Sequence, residues 1–423
     1  MAPMVAACSS DEYVAPVPAA VSSDGVDAAA AAGTLVGLQR AWTAGDAEAA
    51  RSLGVGPGAE LAAAVADNVT RIGLGDVTLR YVTETGRTSG TGDTAGWDAL
   101  VEVTWRVSGI DRASARVEVP FSFADGGRRV AAFGANPTTA APSGPSSGVS
   151  GAPGSSAGGA ASPTALATGR VPLWLAGAAR VVRVPDGVVY TNDPGLDLAA
   201  YGRWARTAVR SARAVVGGDA GLVVEVPADG SQLDRALGVG PGAYDGIAAV
   251  TAPVDGSRAP GSPVHVFVNP DVFKGLDPTA AQVVMTHESV HALTAAPLST
   301  SAPLWLVEGF ADYVALRDVR LPPSRTAGQI LAQVRADGPP KTLPPDTEFD
   351  TVGTHLGAVY EAAWQITEVL AERRGERALV RLYDDVLGGA KLAPALQSGF
   401  GWSQAQLTAA WQQRLRSLAA VTG

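Results

Sequence analysis

The sequence predicts an α+β protein with two folded units, and three observations support this prediction. Apolar and polar residues alternate in WDALVEVTWRV (97–107) and RVEVPFSF (116–123), as they do in half-buried strands. Further strand-like runs lie between residues 180 and 270, whereas from Asp277 onward the apolar spacing is helical. Between the two units, residues 136–168 are almost wholly Pro, Gly, Ser, Ala and Thr, which predicts a flexible linker.

The composition is that of a globular protein with an acidic charge balance. The chain has 423 residues, of which 46% are hydrophobic, enough for sizeable cores. Its net charge is −9, and the few lysines are scattered at Lys274, Lys341 and Lys391, so no basic surface for nucleic acid or for an anionic membrane is expected. Arginine outnumbers lysine, and Ala, Gly and Val dominate, which is typical of high-GC actinobacterial genomes.

Residues 1–25 are predicted to form a tether around the single cysteine, Cys8. Val5-Ala6-Ala7-Cys8 resembles a bacterial lipobox, which predicts an exported protein anchored by lipid to the outer face of the cytoplasmic membrane. Few residues precede Cys8, too few for the basic segment and apolar run of a signal peptide, and a lone cysteine in a disordered terminus is the other interpretation. One cysteine excludes both an intrachain disulfide and a cysteine-ligated zinc site.

The first unit, residues 26–135, is predicted to pack a helix against an antiparallel sheet. Leu35, Leu38 and Trp42 recur at spacings that put them on one helical face. The two alternating strands follow, and residues 109–112 suit the hairpin turn between them. This pattern is similar to the nuclear-transport-factor-like cone fold, without a specific motif. No convergent polar group stands out, so we expect a spacer or protein-contact role.

The second unit, residues 169–423, contains the residues suited to chemistry. Its strand-like runs are RVVRVPDGVVYTND, GLVVEVP and SPVHVFVNP, with a helix expected over 196–216. His265 lies in the last of these apolar runs and is expected to be structural. The C-terminal segment GWSQAQLTAAWQQRLRSL should form a final helix, because Ser403 and Gln406 have capping-box spacing.

The strongest chemical signal lies on a helix expected to begin at Asp277. Asp277 suits the N-cap position, and Pro278 suits the first helical position. His287 and His291 are four residues apart, so both rings lie on one helical face and can bind one metal ion. Glu288 lies beside them, placed to reach a metal-bound water. The segment HESVH is therefore an H-E-x-x-H zincin motif. The other interpretation is a helix with two solvated or core histidines.

A second helix, in SAPLWLVEGFADYVAL, supplies the remainder of a candidate ligand set. Ser301 is expected to cap it, with Pro303 near its start. Glu308 follows His291 after 16 intervening residues, and two histidines with one glutamate form an established catalytic zinc set with an open position. Asp312, one turn further, suits a carboxylate that accepts the free N–H of a ligating histidine. An ordinary surface carboxylate at Glu308 and a solvated charge at Asp312 are the simpler interpretations.

These two segments, HESVH (287–291) and WLVEGFADY (305–313), resemble the gluzincin metallopeptidases, the clan that includes thermolysin and the aminopeptidase-N-like enzymes. The resemblance implies a zincin-like peptidase domain, in which a strand-rich part precedes the helices, acting on a peptide or protein substrate. It implies that His287, His291 and Glu308 bind one zinc ion. It also implies that Glu288 is the general base and that Asp312 is the hydrogen-bond partner of a ligand.

Peptide hydrolysis needs an activated water and a donor to the developing oxyanion. Zinc lowers the pKa of bound water toward about 7, and Glu288 is expected to take the proton and pass it to the leaving amine. Gluzincins commonly supply the oxyanion donor from a downstream Tyr or His, for which we rank Tyr360 first, His355 second and Tyr313 third. Tyr360 could equally be a helix-packing aromatic. In this clan an edge strand binds the substrate backbone, and PVHVFVNPDVF (263–273) is the candidate.

Two other functions fit the same residues. The chain could be a cell-surface lipoprotein that uses the fold as a binding or scaffold module with little turnover. It could also be a zinc hydrolase of a non-peptide substrate, because the ligand set specifies the activated water and not the substrate.

Overall fold

The computed structural model of the protein describes residues 26–88, 96–134, 169–349 and 356–421. It is a mixed α/β structure with two β-sheets. The predictions for residues 1–25, including Cys8, for the linker and for His355 lie outside the described residues. Within the described part of the chain, no helix is long and apolar enough to cross a membrane.

The N-terminal part packs helices against an antiparallel four-stranded sheet. Its elements are α1 (Ala28–Ala44), α2 (Ala47–Ser52), α3 (Pro57–Ile72), β1 (Leu74–Thr88), β2 (Gly96–Val107), β3 (Ala115–Ala124) and β4 (Arg129–Phe133). The strands pair in the order β1-β2-β3-β4. Leu35, Leu38 and Trp42 are all buried on α1, and alternate residues of β2 and β3 are buried, as the spacing predicts.

The C-terminal part contains a five-stranded sheet followed by a layer of helices. Its elements are β5 (Arg180–Val184), β6 (Gly187–Thr191), α4 (Leu198–Val216), β7 (Leu222–Val226), α5 (Gly230–Leu237), β8 (Ala249–Pro253), β9 (Val264–Val268), α6 (Pro270–Phe273), α7 (Pro278–Leu293), α8 (Leu304–Leu316), α9 (Pro323–Thr326), α10 (Gly328–Asp337), α11 (Leu356–Arg374), α12 (Glu376–Leu387), α13 (Leu392–Phe400) and α14 (Gln404–Val421). The strand order is β5-β6-β7-β9-β8. β6, β7 and β9 are parallel, whereas β5 and β8 are antiparallel to their neighbours.

The identity of an edge strand of this sheet differs from the prediction. Residues 263–273 were expected to form the edge strand, but β9 lies inside the sheet, hydrogen-bonded to β7 on one side and to β8 on the other. Four of its five residues are buried, and apart from His265 its sequence is apolar, as is typical of a strand covered on both faces. The edge strand next to β9 is β8, a short strand that the sequence did not indicate; the other edge strand is β5. It pairs with β9 from Ala249↔Val268 to Pro253↔Val264.

Helix α7 lies between the second sheet and the helical layer. It packs against α4 and β8 on the sheet side and against α8 on the other, and α8 in turn packs closely on α11. Gly309 makes that last contact possible, because a Cβ there would lie 2.4 Å from the carbonyl oxygen of Ala363. The close approach brings the first turns of α11 toward the end of α7 that carries the histidines.

The two sheets share one hydrophobic core, and Trp174 lies at the junction. This residue belongs to a short 3₁₀ turn, Leu173–Leu175, whose three side chains are fully buried. The Trp174 ring contacts Trp42 and Trp105 of the N-terminal part, with centroid distances of 6.2 and 5.9 Å. Asn68 holds the same turn through Nδ2, which donates to the carbonyl oxygens of Trp174 at 2.8 Å and Gly177 at 2.7 Å.

Candidate metal centre

Helix α7 places two histidines of the H-E-x-x-H segment on one face. The helix begins as predicted, since the Asp277 carboxylate accepts hydrogen bonds from the backbone N–H groups of Thr279 and Ala280, and Pro278 occupies the first turn. No breaker interrupts it before Leu293. The His287 and His291 rings lie 4.6 Å apart between centroids, edge to face. Both side chains are largely buried at the floor of a cleft.

Helix α8 supplies the third donor, although its start differs from the prediction. Ser301 does not cap this helix: Pro303 is the N-cap residue and has no side-chain hydrogen bond to offer. The free N–H of Leu304 is instead satisfied by Asp346, whose Oδ1 accepts it at 2.8 Å from a segment 42 residues away. A cap supplied from such a distance leaves no local sequence signal. The helix nevertheless brings Glu308 opposite the two histidines.

Three donor atoms converge on one point. Nε2 of His287 lies 3.0 Å from Nε2 of His291, and Oε2 of Glu308 lies 3.1 and 3.2 Å from these two nitrogens. Among the described residues, this trio is the group of histidine and acidic side chains whose ligand atoms lie close enough together to bind one ion. Donors bonded to zinc at about 2.0–2.1 Å in a tetrahedral site are separated by roughly 3.3 Å. The spacing of the three atoms therefore fits zinc.

Asp312 orients the first of these histidines. Its Oδ1 lies 2.8 Å from Nδ1 of His287, and an ionised carboxylate only accepts hydrogen bonds, so Nδ1 carries a proton. In the neutral imidazole this leaves the lone pair of Nε2 directed at His291 and Glu308. Two nitrogen lone pairs directed at each other across 3.0 Å repel, so this arrangement needs a cation or a proton between them. The donor set thus fits a divalent metal, with Asp312 in the place predicted for the partner of a ligand.

The electrostatics of the trio also favour a cation. Burial lowers the pKa of His287, but Asp312 and Glu308 outweigh it, and the pKa rises well above its ordinary value. Burial alone would raise the pKa of Glu308, but His291 and His287 outweigh it and lower this pKa. The raised pKa of His287 and the lowered pKa of Glu308 have the same cause: the carboxylates stabilise positive charge at the histidine nitrogens. A metal cation between the three donor atoms would be stabilised by the same negative charges.

Glu288 lies beside the trio and is held from the sheet. Its side chain is buried and lines the cleft. Its Oε2 accepts a hydrogen bond of 2.7 Å from Oγ1 of Thr251, and the same hydroxyl lies 3.0 Å from the Glu288 carbonyl oxygen. Thr251 belongs to the edge strand β8. Sequence reasoning missed Thr251, because it lies far from the motif in the chain and the short strand that carries it has no clear alternation.

Of the two predicted oxyanion donors that the structure describes, Tyr360 and Tyr313, one lies at the cleft. Tyr360, on α11, lines the cleft with its ring centroid 6.3 Å from that of His287. Burial, reinforced by Glu308 and Glu288, raises the pKa of its hydroxyl, which stays protonated as a donor. Tyr313, the third candidate, is directed away from the site, and its hydroxyl donates to Glu376 at 3.2 Å. Its position one residue past Asp312 puts it on another face of α8.

The cleft above the trio has a volume of about 620 Å³ and is open to solvent. The edge strand β8 forms one wall, and α7, the start of α8 and Tyr360 form the others. Its lining is mostly apolar, and includes Val250, Val283, Val284, Ala302, Leu304 and Val307. A cleft of this size lies within the range of ligand-binding pockets, and the donor trio is part of its lining.

His265 is not part of this site. It is buried in β9, where Nδ1 lies 2.7 Å from Oε1 of Glu225 and Nε2 lies 3.2 Å from Oδ1 of Asp111. Asp111 belongs to the turn between β2 and β3, so this contact joins the two sheets. The expected structural role of His265 agrees with this arrangement.

No family model matches the chain, and no curated protein matches it.

Proposed function

We propose that this protein is a zinc-dependent peptidase. The observation that carries the proposal is the convergence of His287, His291 and Glu308 within 3.2 Å of one another on the floor of an open cleft, with Glu288 alongside. These three side chains would hold the ion. When bound, zinc would activate a water molecule and polarise the scissile carbonyl.

The remaining steps belong to residues of the chain. Glu288 accepts the proton of the attacking water and returns it to the leaving amine, the role of general base and then general acid. The Tyr360 hydroxyl, kept protonated by its environment, donates a hydrogen bond to the oxyanion as the carbonyl becomes tetrahedral. Asp312 keeps the His287 ring in the tautomer that leaves Nε2 free.

The surrounding architecture supports a peptide as the substrate. β8 is one of the two edge strands of the second sheet in the described part of the chain, and it forms a wall of the cleft. Its outer backbone groups can pair with an extended peptide, as in other cases of strand addition. An antiparallel edge strand beside the motif helix is a feature of the gluzincin clan, so we assign the C-terminal part to a zincin-like fold. We assign the N-terminal sheet and helices to a cone-like fold.

Two measurements on one preparation test this function. Elemental analysis should find one zinc per chain, and digestion of a peptide library should yield cleavage products. Glu288→Gln should retain the zinc and lose cleavage by at least about a hundredfold, because it removes the proton acceptor and leaves the ligands in place. Glu48→Gln, on an exposed carboxylate of α2, is the matched control and should behave as wild type.

The alternatives predict different results. A scaffold protein or a hydrolase of another substrate would bind stoichiometric zinc and cleave no peptide. A protein that binds no zinc in any preparation would refute every metal-dependent function.

A further inference from the structure

We propose that Thr251 is a positioning residue that fixes the carboxylate of the general base relative to the substrate-binding strand. This inference rests on the proposed peptidase function. Its basis is the pair of contacts from one hydroxyl, 2.7 Å to Oε2 of Glu288 and 3.0 Å to the Glu288 carbonyl oxygen. Both residues are about nine-tenths buried.

The two contacts restrict Glu288 from a rigid support. A threonine hydroxyl has a single proton, and both atoms near it are acceptors, so the proton is shared between the side chain and the backbone of one residue. Thr251 pairs with Val266 in the interior of the β8–β9 ladder, and its branched side chain has restricted rotation. The hydroxyl therefore has a fixed position, whereas a glutamate side chain without such a partner samples several rotamers.

The location of Thr251 gives this contact a consequence for catalysis. The backbone of β8 is the surface on which an extended substrate would lie, and the side chain of the same strand holds the base. The distance between the scissile bond and the carboxylate is then set within one strand. Misplacement of a reacting group by about 1 Å can cost on the order of a hundredfold in rate.

The test compares three substitutions. Thr251→Val keeps the shape and removes the hydroxyl, and should lower kcat by about 10- to 100-fold with KM changed less than twofold and the zinc content unchanged. Thr251→Ser restores the hydroxyl and should recover most of kcat. Thr34→Val is the matched control, because Thr34 is also buried and donates its hydroxyl at 2.7 Å to the Gly127 carbonyl, in the N-terminal part. It should leave kcat unchanged.

A crystallographic readout makes the test independent of turnover. Crystals of the zinc-free wild type should show the Glu288 carboxylate in one conformer at the Thr251 hydroxyl, and those of Thr251→Val should show it displaced or in several. Thr251→Ala, which relieves any packing strain from valine, replaces Thr251→Val if that variant does not fold.

The outcomes separate the two proposals. Wild-type protein that cleaves no peptide overturns the peptidase function, and the crystals still decide the positioning role. An active wild type with equally active Thr251→Val and an unmoved Glu288 overturns the positioning role alone. Equal losses in Thr251→Ser and Thr251→Val would mean that packing, and not the hydroxyl, is what matters, and would also overturn it.

Discussion

Oδ1 of Asp312 lies 2.8 Å from Nδ1 of His287, on the opposite side of the ring from the donor trio. This contact couples the two helices that carry the site, since His287 belongs to α7 and Asp312 to α8. It fixes both the rotation of the ring and the nitrogen that bears the proton. The protein itself therefore fixes the orientation of His287 in the donor trio, which is the arrangement that the proposed metal requires.

Asp312→Ala should weaken zinc binding by about 10- to 100-fold, because the imidazole loses the partner that fixes its tautomer and raises its basicity. Competition with a chelator of known affinity would measure this change. Asp318→Ala, on an exposed carboxylate just beyond the end of α8, should leave the affinity unchanged. Equal affinities in all three proteins would mean that Asp312 does not support the ligand.

Tyr360→Phe should lower kcat by about 100- to 1000-fold with little change in KM or zinc content, since the hydroxyl acts only on the charge that develops in the transition state. Steady-state kinetics on a peptide identified in the library digest would measure it. Tyr313→Phe is the natural control, because its hydroxyl is bonded to Glu376 outside the cleft. If Tyr313→Phe were the slower enzyme, the assignment of the donor would be wrong.

The stability of the protein should fall at alkaline pH because of His265. Burial lowers the pKa of this imidazole, but Asp111 and Glu225 outweigh it and raise the pKa to about 9. A pKa above the unfolded value of about 6.5 stabilises the fold fully below pH ~6.5, and this stabilisation is lost as the pH rises through about 9. The loss is on the order of 3 kcal/mol. Tyr190, which also faces Glu225, has a pKa raised well above its ordinary value by burial, and stays neutral in this range.

Urea unfolding between pH 6 and pH 10 would measure the decline. His265→Gln should be less stable than wild type near neutral pH, and its stability should vary less with pH, because the titrating group has been removed. A wild-type slope that persists in His265→Gln would assign the decline to another group.

Trp174→Ala should destabilise the protein by about 3–5 kcal/mol, because it removes a fully buried indole and leaves a cavity between the two sheets. Chemical denaturation would measure the free energy of unfolding. Trp402→Ala is a suitable comparison, since Trp402 is half-buried and lies beneath the Arg373 guanidinium at the surface. Trp402→Ala should lower the free energy of unfolding by much less than Trp174→Ala. Equal losses would mean that the junction contributes no more than a surface aromatic.

The features that the sequence predicted well are those with local causes. Spacing along one helix brought His287 and His291 together, and the caps at Asp277 and at the Ser403–Gln406 box form as the residue types suggest. Spacing along α8 likewise put Asp312 within reach of a histidine. These arrangements depend on helical periodicity, which can be read from neighbouring residues.

The features that sequence reasoning missed have no clear local signal. β8 directly precedes β9 in the chain, but it is short and has no clear alternation, so nothing within 263–273 indicated that β8 would cover it. The cap of α8 also has no local signal, because it comes from Asp346 and not from Ser301. Thr251 could be connected with Glu288 only after β8 had been located beside α7.

In the sequence, Trp174 belongs to the C-terminal part, but its indole packs against Trp42 and Trp105 of the N-terminal part. If either part were exchanged for a related one, the new part would have to keep the ring contacts of this indole and the hydrogen bonds of Asn68 to its turn. A change of side-chain volume around the indole on one side of the junction therefore requires a compensating change on the other side to keep the packing.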